Sequence, residues 1–244
     1  MRLEIAPLST LSEVWPGQDL GALIREAAQK ETQPLDHSVV LAVAQKVVSK
    51  AEGAMVDLRK IEPSALARSW AAEWGKDARL IELILAQSRR IVKMDRGVLI
   101  TETRLGLVCA NSGVDQSNVE GEGFATVLPD DPDASARRIR TSLGCGAVII
   151  TDTFGRPWRE GLVDVAIGVA GLDALDDHRG RADRHGRKLA GTIIAVADQL
   201  AAAAGLVMRK AEGCPVALIR GFEWQPAEGS ASSIVRRPEQ DLFR

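Results

Sequence analysis

The chain has 244 residues, 45% of them hydrophobic, enough to bury a sizeable core as one large domain or two small ones. Thirty-one basic residues against 33 acidic ones leave a net charge of −2, so no overall field draws the protein to nucleic acid or to an anionic membrane. The amino-terminal M-R-L-E-I-A-P-L lacks the apolar core of a secretion signal, and no uninterrupted apolar run approaches the roughly 20 residues that span a bilayer.

In chain order, Leu3–Ile5 is a short strand candidate, and Asp19 is placed to cap a helix over Leu20–Lys30. Val39–Val43 is a continuous apolar, β-branched run, the pattern of a strand covered on both faces, and it feeds Q-K-V-V-S-K-A-E-G, Gln45 to Gly53. Pro63 at a first helical position predicts a helix to about Trp74, and a second helix spans Asp77–Gln87. Trp70 and Trp74, four apart on the first, read as core or interface packing.

Two β-rich runs, Val98–Thr103 and Leu105–Cys109, then lead into a polar loop holding Asn111, Ser112, Asp115, Gln116, Ser117 and Asn118. So many short polar side chains compete with regular backbone pairing, which makes the loop a costly feature. Ala125–Leu128 is a strand candidate, and Pro132–Thr141 a helix whose Arg137, Arg138 and Arg140 read as a solvated face. Ala147–Thr151 is the next strand, emptying into the polar T-D-T-F-G-R-P-W-R of Thr151–Arg159. Val163–Val169 is another apolar run, and the charged stretch Asp176–Arg187 opens a long helix from about Lys188 to Met208. Pro215–Ile219 closes the sheet. Strands and helices mix without a regular βαβ rhythm, which predicts α+β rather than a doubly wound sheet. Cys109, Cys145 and Cys214 are far apart, form no C-x-x-C pair and lie beside apolar or small residues, so they read as buried free thiols of a reducing cytoplasm.

Several standard signatures are missing. Gly186 to Gly191 has Walker A spacing, but Thr192-Ile193 stands where Lys and Ser or Thr are required. There is no H-E-x-x-H or G-x-S-x-G, and His37, His178 and His185 are scattered. What remains is two polar loops, each at the exit of an apolar strand and each carrying an aspartate, Asp115 and Asp152, the second beside the Thr153 hydroxyl. Oxygen donors of this kind suit Mg²⁺ or Mn²⁺ shared with substrate phosphates. An aspartate that merely caps a turn would look the same in sequence. Lys50, beside Ser49 and just past a buried strand, adds a cation suited to a phosphate, although a surface lysine would also fit.

Taken together, V-S-K-A-E-G at Val48–Gly53, N-S-G-V-D-Q-S-N at Asn111–Asn118 and T-D-T-F-G-R-P-W-R at Thr151–Arg159 resemble the coenzyme F-420:L-glutamate ligase family, also called F-420 γ-glutamyl ligase. The stretch Leu128–Arg140 and the carboxy-terminal P-E-Q-D-L-F-R are similar too. The resemblance implies a GTP-dependent ligase requiring Mg²⁺ or Mn²⁺, which adds L-glutamate to the F-420 precursor through an amide and then γ-linked amides. It implies an α+β fold of irregular mixed sheets with flanking helices, two intimately packed subdomains, and a cytoplasmic homodimer. One catalytic domain over residues 1–224, with an extension over 225–244, is the corresponding division.

By position within the motifs, the resemblance makes Asp115, Asp152 and Thr153 metal ligands and puts Lys50 and Asn118 on the nucleotide. Gln45, Lys46 and Leu11–Val14 match nucleotide-contacting segments in position only. Lys210 stands where some relatives have a glutamine that ligates a second metal, so one metal instead of two, or a lysine charge against the phosphates, is the alternative to be weighed. Arg156 and Arg159, as guanidinium forks, are candidates for the glutamate carboxylates, with a structural salt bridge as the other reading. Rivals from other classes are a nucleotide sensor or scaffold without turnover, and a metal-dependent hydrolase of phosphate esters or amides.

Overall fold

The structure, a computed structural model, describes residues 2–117, 123–209 and 212–241. Strand β1 (Glu4–Pro7) precedes helix α1 (Leu20–Lys30), where Asp19 caps the first turn by accepting from the Ala22 amide at 3.1 Å. β2 (Val40–Ala44) is buried almost throughout, and α2 (Gln45–Ala51) leaves its carboxyl end without an intervening loop. β3 (Met55–Asp57), α3 (Ala65–Trp74) and α4 (Ala78–Gln87) follow; Ser64 and Asp77 cap the helices, and Gly75 ends α3 in the left-handed conformation.

Next come β4 (Ser88–Asp95), β5 (Val98–Thr103), β6 (Val108–Ala110) and β7 (Phe124–Thr126). After α5 (Pro132–Leu143), strands β8 (Ala147–Arg156) and β9 (Arg159–Leu172) form a long hairpin. The small ribbon of β10 (Asp176–Asp177) and β11 (Ile193–Ile194) leads to α6 (Val196–Met208), then β12 (Val216–Arg220) and β13 (Pro226–Ala227).

Strand alternation builds three layers. The main sheet has the order β1-β12-β2-β8-β9-β13, mixed because β2 and β8 are parallel while the other pairs are antiparallel. Leu41, Val43, Val148, Ile150 and Leu218 face α1, α2 and α5, whereas Val40, Ala42, Ala147, Ile149 and Ile219 face α6. A second body packs α3 and α4, with buried Trp70, on the β4-β5-β6 sheet and the β3-β7 ribbon around its own core, which includes Leu58, Ile84 and Leu99. The α+β reading with two packed subdomains therefore stands. Among the described residues no helix is long and apolar enough to cross a membrane.

Three expectations need correction. Thr151–Arg156 is not a loop but the continuation of β8, because β-branched and small residues pair with Ala166–Leu162 across the hairpin and leave only Pro157-Trp158 to turn. The long helix begins at Val196, not Lys188. Upstream, Asp177 and Asp183 accept from backbone amides two to four residues ahead, and these short-range bonds with Gly186 and Gly191 favour turns over helix. β4 was not anticipated: its half-charged, mostly exposed sequence carries no alternation to read.

Candidate active site

The two bodies meet around a cavity of about 620 Å³, within the range of small-molecule sites. Its base is the edge at which β2 ends and its pairing with β8 stops. Ala44 lies beside Thr151 at the end of the parallel pairing, so β2 delivers its carboxyl end and β8 its middle residues to one place, and Cys214 and Pro215 enter β12 there.

The hairpin then distributes its polar side chains. Ile150 is opposite Gly168 but Thr151 is opposite Ala166, so Ile167 is an extra residue in a bulge next to the cavity. Beyond the bulge Asp152 faces Val165 across the ladder and Thr153 faces Asp164. The Thr153 hydroxyl donates to Asp164 Oδ1, and the Thr153 amide donates to Asp152 Oδ1 at 2.9 Å.

Asp115 arrives from the second body on a strained turn. Asn111, Ser112 and Gly113 have φ of 56°, 51° and 70°, a run that only the glycine adopts cheaply. The buried Ser112 hydroxyl holds the turn, 2.8 Å from Ser88 Oγ and 2.7 Å from Thr101 Oγ1. At Gly113 a β-carbon would also lie 2.7 Å from Leu128 Cγ. The Asp115 backbone then pairs with Thr126 in both directions, at 3.1 and 2.8 Å, which fixes where the carboxylate points.

That carboxylate is the electrostatic centre of the cavity wall. Asp115 Oδ2 accepts from Lys46 Nζ at 2.7 Å and from Ser117 Oγ at 2.9 Å, and Oδ1 accepts from the Ser117 amide at 2.7 Å. Burial works to raise the Asp115 carboxyl, but the Lys46 ammonium and the two Ser117 donors outweigh it and hold the group below the usual carboxylate range. Lys46 is donated by α2, two residues past the end of β2, so the ion pair joins the two bodies. One turn on, Lys50 is 9% exposed and its ammonium meets the Glu13 carboxylate.

Asp115, Asp152, Thr153, Gln45, Lys46 and Lys50 thus share one cavity, with residues 11–14 on its wall. Gln45 is buried, and its amide oxygen accepts from Ser49 Oγ at 2.9 Å. Asn118 and Lys210 lie outside the described residues. Arg156 and Arg159 are not in the cavity lining; they flank the hairpin turn, where Arg156 Nη2 donates to the Glu160 carbonyl at 2.8 Å. Two charged wall residues went unnoticed in the sequence, Asp164 and Arg209, the latter held by Glu212 at 2.8 Å. Asp164 was hidden within an apparently apolar run. Pairing that run with Thr151–Gly155 across Pro157-Trp158 would have set it opposite Thr153.

The donor set is carboxylate and hydroxyl oxygen, which suits a hard divalent cation. Among the described residues no three His, Cys, Asp or Glu side chains are grouped as a metal cage. Oxygen donors of this kind fit an ion that keeps several waters and shares phosphate oxygens. Cys109 lies near Asp152, and burial together with that negative charge pushes its thiol up to about 12, which makes it a poor nucleophile or soft-metal ligand.

The chain is similar to known proteins over nearly its whole length. The family model described as F420-0:Gamma-glutamyl ligase matches residues 10–221. A Methanopyrus kandleri protein named coenzyme F420:L-glutamate ligase is 48% identical, with 99% of this chain and 98% of that one aligned. Proteins of the same name from Methanothermobacter thermautotrophicus and Archaeoglobus fulgidus are 43% and 39% identical. The first alignment covers all of both chains, and the second all of this chain and 97% of the other.

Proposed function

The chain belongs to the F420-0:Gamma-glutamyl ligase family, and from that premise we propose that it joins L-glutamate to the coenzyme F-420 precursor, with GTP as the activating co-substrate and Mg²⁺ or Mn²⁺ in the site. The single observation that carries the reading is the convergence of Asp115, Asp152 and Thr153 with Lys46 and Lys50 on one cavity, drawn from both bodies of the fold.

A carboxylate is a poor acyl donor. In the proposed reaction its oxygen attacks the γ-phosphorus of GTP, GDP leaves, and the acyl phosphate is opened by the glutamate amine with loss of inorganic phosphate and a proton. A divalent ion held by Asp115, Asp152 and Thr153 would neutralise the charge that spreads over the transferring phosphoryl oxygens. Lys46 and Lys50 hold fixed positive charge over the same space, each now answered by a carboxylate that a phosphate can replace.

The same reading makes the protein a cytoplasmic homodimer, in keeping with three buried, free cysteines. Trp158 and Leu162 on the hairpin tip are 82% and 61% exposed, and Val92, Val98 and Val108 on the three-stranded sheet are also exposed; a second copy would cover them. Light scattering of the purified chain checks this, with twice the monomer mass expected. Incubation with unglutamylated precursor, L-glutamate, GTP and Mn²⁺, read by product mass, tests the activity. GDP release without any acceptor would point to a hydrolase instead, and nucleotide binding without turnover to a sensor.

A further inference from the structure

Gly205 lies inside α6, in the run A-A-A-A-G-L-V-M, where alanine would stabilise the helix by roughly 1 kcal/mol. The reason for glycine is steric. A β-carbon there would stand 2.3 Å from Asp164 Oδ2 and 3.0 Å from Asp164 Cγ, so α6 leaves room for this carboxylate and for nothing larger. On its other side Asp164 accepts the hydrogen bond of the Thr153 hydroxyl across the β8–β9 ladder. Asp164 is therefore held between two elements and bonded to a neighbouring side chain on the cavity wall.

A hydroxyl whose proton is committed to a carboxylate offers only lone pairs to other partners. We propose that Asp164 is a positioning residue: seated against Gly205, it accepts the hydrogen bond of the Thr153 hydroxyl and so presents the Thr153 oxygen to the cavity as an acceptor-only ligand for a divalent cation. This rests on the metal-dependent reading above and assigns Asp164 and Gly205 a role in it. Threonine alone would be ambivalent, since a free hydroxyl can turn its proton toward the cavity and repel a cation. Orientation by an outer carboxylate removes that choice.

The test uses the full chain with GTP present and reads bound Mn²⁺ from loss of the free-ion electron paramagnetic resonance signal, with GTP alone subtracted. Thr153→Ala, Asp164→Ala and Gly205→Ala are each expected to weaken Mn²⁺ binding 10- to 100-fold, the loss typical when an outer-shell partner is removed. Gly205→Ala keeps both side chains and only displaces one. Asp164→Asn, whose amide oxygen still accepts, is expected to recover part of the loss seen in Asp164→Ala. The double variant Thr153→Ala/Asp164→Ala should bind no more weakly than Thr153→Ala, because Asp164 acts through Thr153. Mn²⁺ affinity within about threefold of wild type in Asp164→Ala and Gly205→Ala, or additive losses in the double variant, would overturn the proposal. Absence of Mn²⁺ binding by the wild-type chain, or indifference of binding to Asp115→Asn and Thr153→Ala, would overturn the metal-site reading itself. Thermal midpoints measured on the same samples separate either result from unfolding.

Discussion

Asp115→Asn removes one charge and leaves almost every atom in place, so its cost can be worked bond by bond. The asparagine oxygen keeps the Ser117 amide bond of 2.7 Å, and its amide nitrogen can donate to Ser117 Oγ, 2.9 Å away. What is lost is the 2.7 Å bond from Lys46, which would now face another donor. Charge-assisted bonds contribute about 1.5–3 kcal/mol when desolvated. Here the Asp115 side chain is 41% exposed and that of Lys46 20%, so water rehydrates the ammonium and the loss falls to about 1 kcal/mol. For a chain of this length that is a melting shift of about 2–4 °C. The loss to phosphoryl transfer is larger, several kcal/mol of charge stabilisation, or roughly 100-fold or more in rate. Scanning calorimetry and a glutamylation assay on the same preparation check both halves. Metal-dependent turnover within about threefold of wild type would refute the assignment. A melting shift beyond about 10 °C would show that Asp115 holds the fold and not the reaction.

Because the Asp115 carboxyl is held low in the folded chain, its contribution to stability is full above the ordinary carboxylate range near pH 4 and is lost as pH falls through the native value; acid unfolding of Asp115→Asn should lack this component, and superimposable acid-unfolding profiles would argue against it. Cys109 and Cys145, pushed up to about 12 and about 11 by burial, should resist iodoacetamide at pH 8 in the native protein and react after denaturation, as read by mass. Ser112→Ala leaves Ser88 and Thr101 without their shared partner and should cost about 1–3 kcal/mol in urea unfolding while weakening Mn²⁺ binding, since the same turn aims Asp115.

Much of the fold was legible because local signals agreed. Asp19 and Asp77 cap helices that follow them, and the unbroken apolar run at β2 is the buried strand it resembles. The polar half of β8 was misread because T-D-T looks like loop composition, while ladder pairing with β9 decides its structure from outside the segment. Asp115, Asp152 and Lys50 could be singled out because each lies just beyond an apolar strand. Lys46 was weaker in sequence than in space, since its 2.7 Å pairing to Asp115 spans 69 residues of chain. Asp164 was readable only by folding the hairpin on paper, which sets it opposite Thr153, and Gly205 was not readable at all, because its meaning is a steric fit between β9 and α6 that no local pattern records. Arg156 and Arg159 were chosen for guanidinium chemistry alone, and the two-residue turn between them sets both at the hairpin tip.

The most direct test of the central claim is the mass of the product formed from the unglutamylated precursor, L-glutamate, GTP and Mn²⁺ by the wild-type chain. A gain of one or more glutamyl residues with matching GDP formation, abolished when the metal is chelated, is the predicted result. GDP formation with no gain of mass on the precursor, or glutamyl transfer that persists in full without divalent metal, would contradict it.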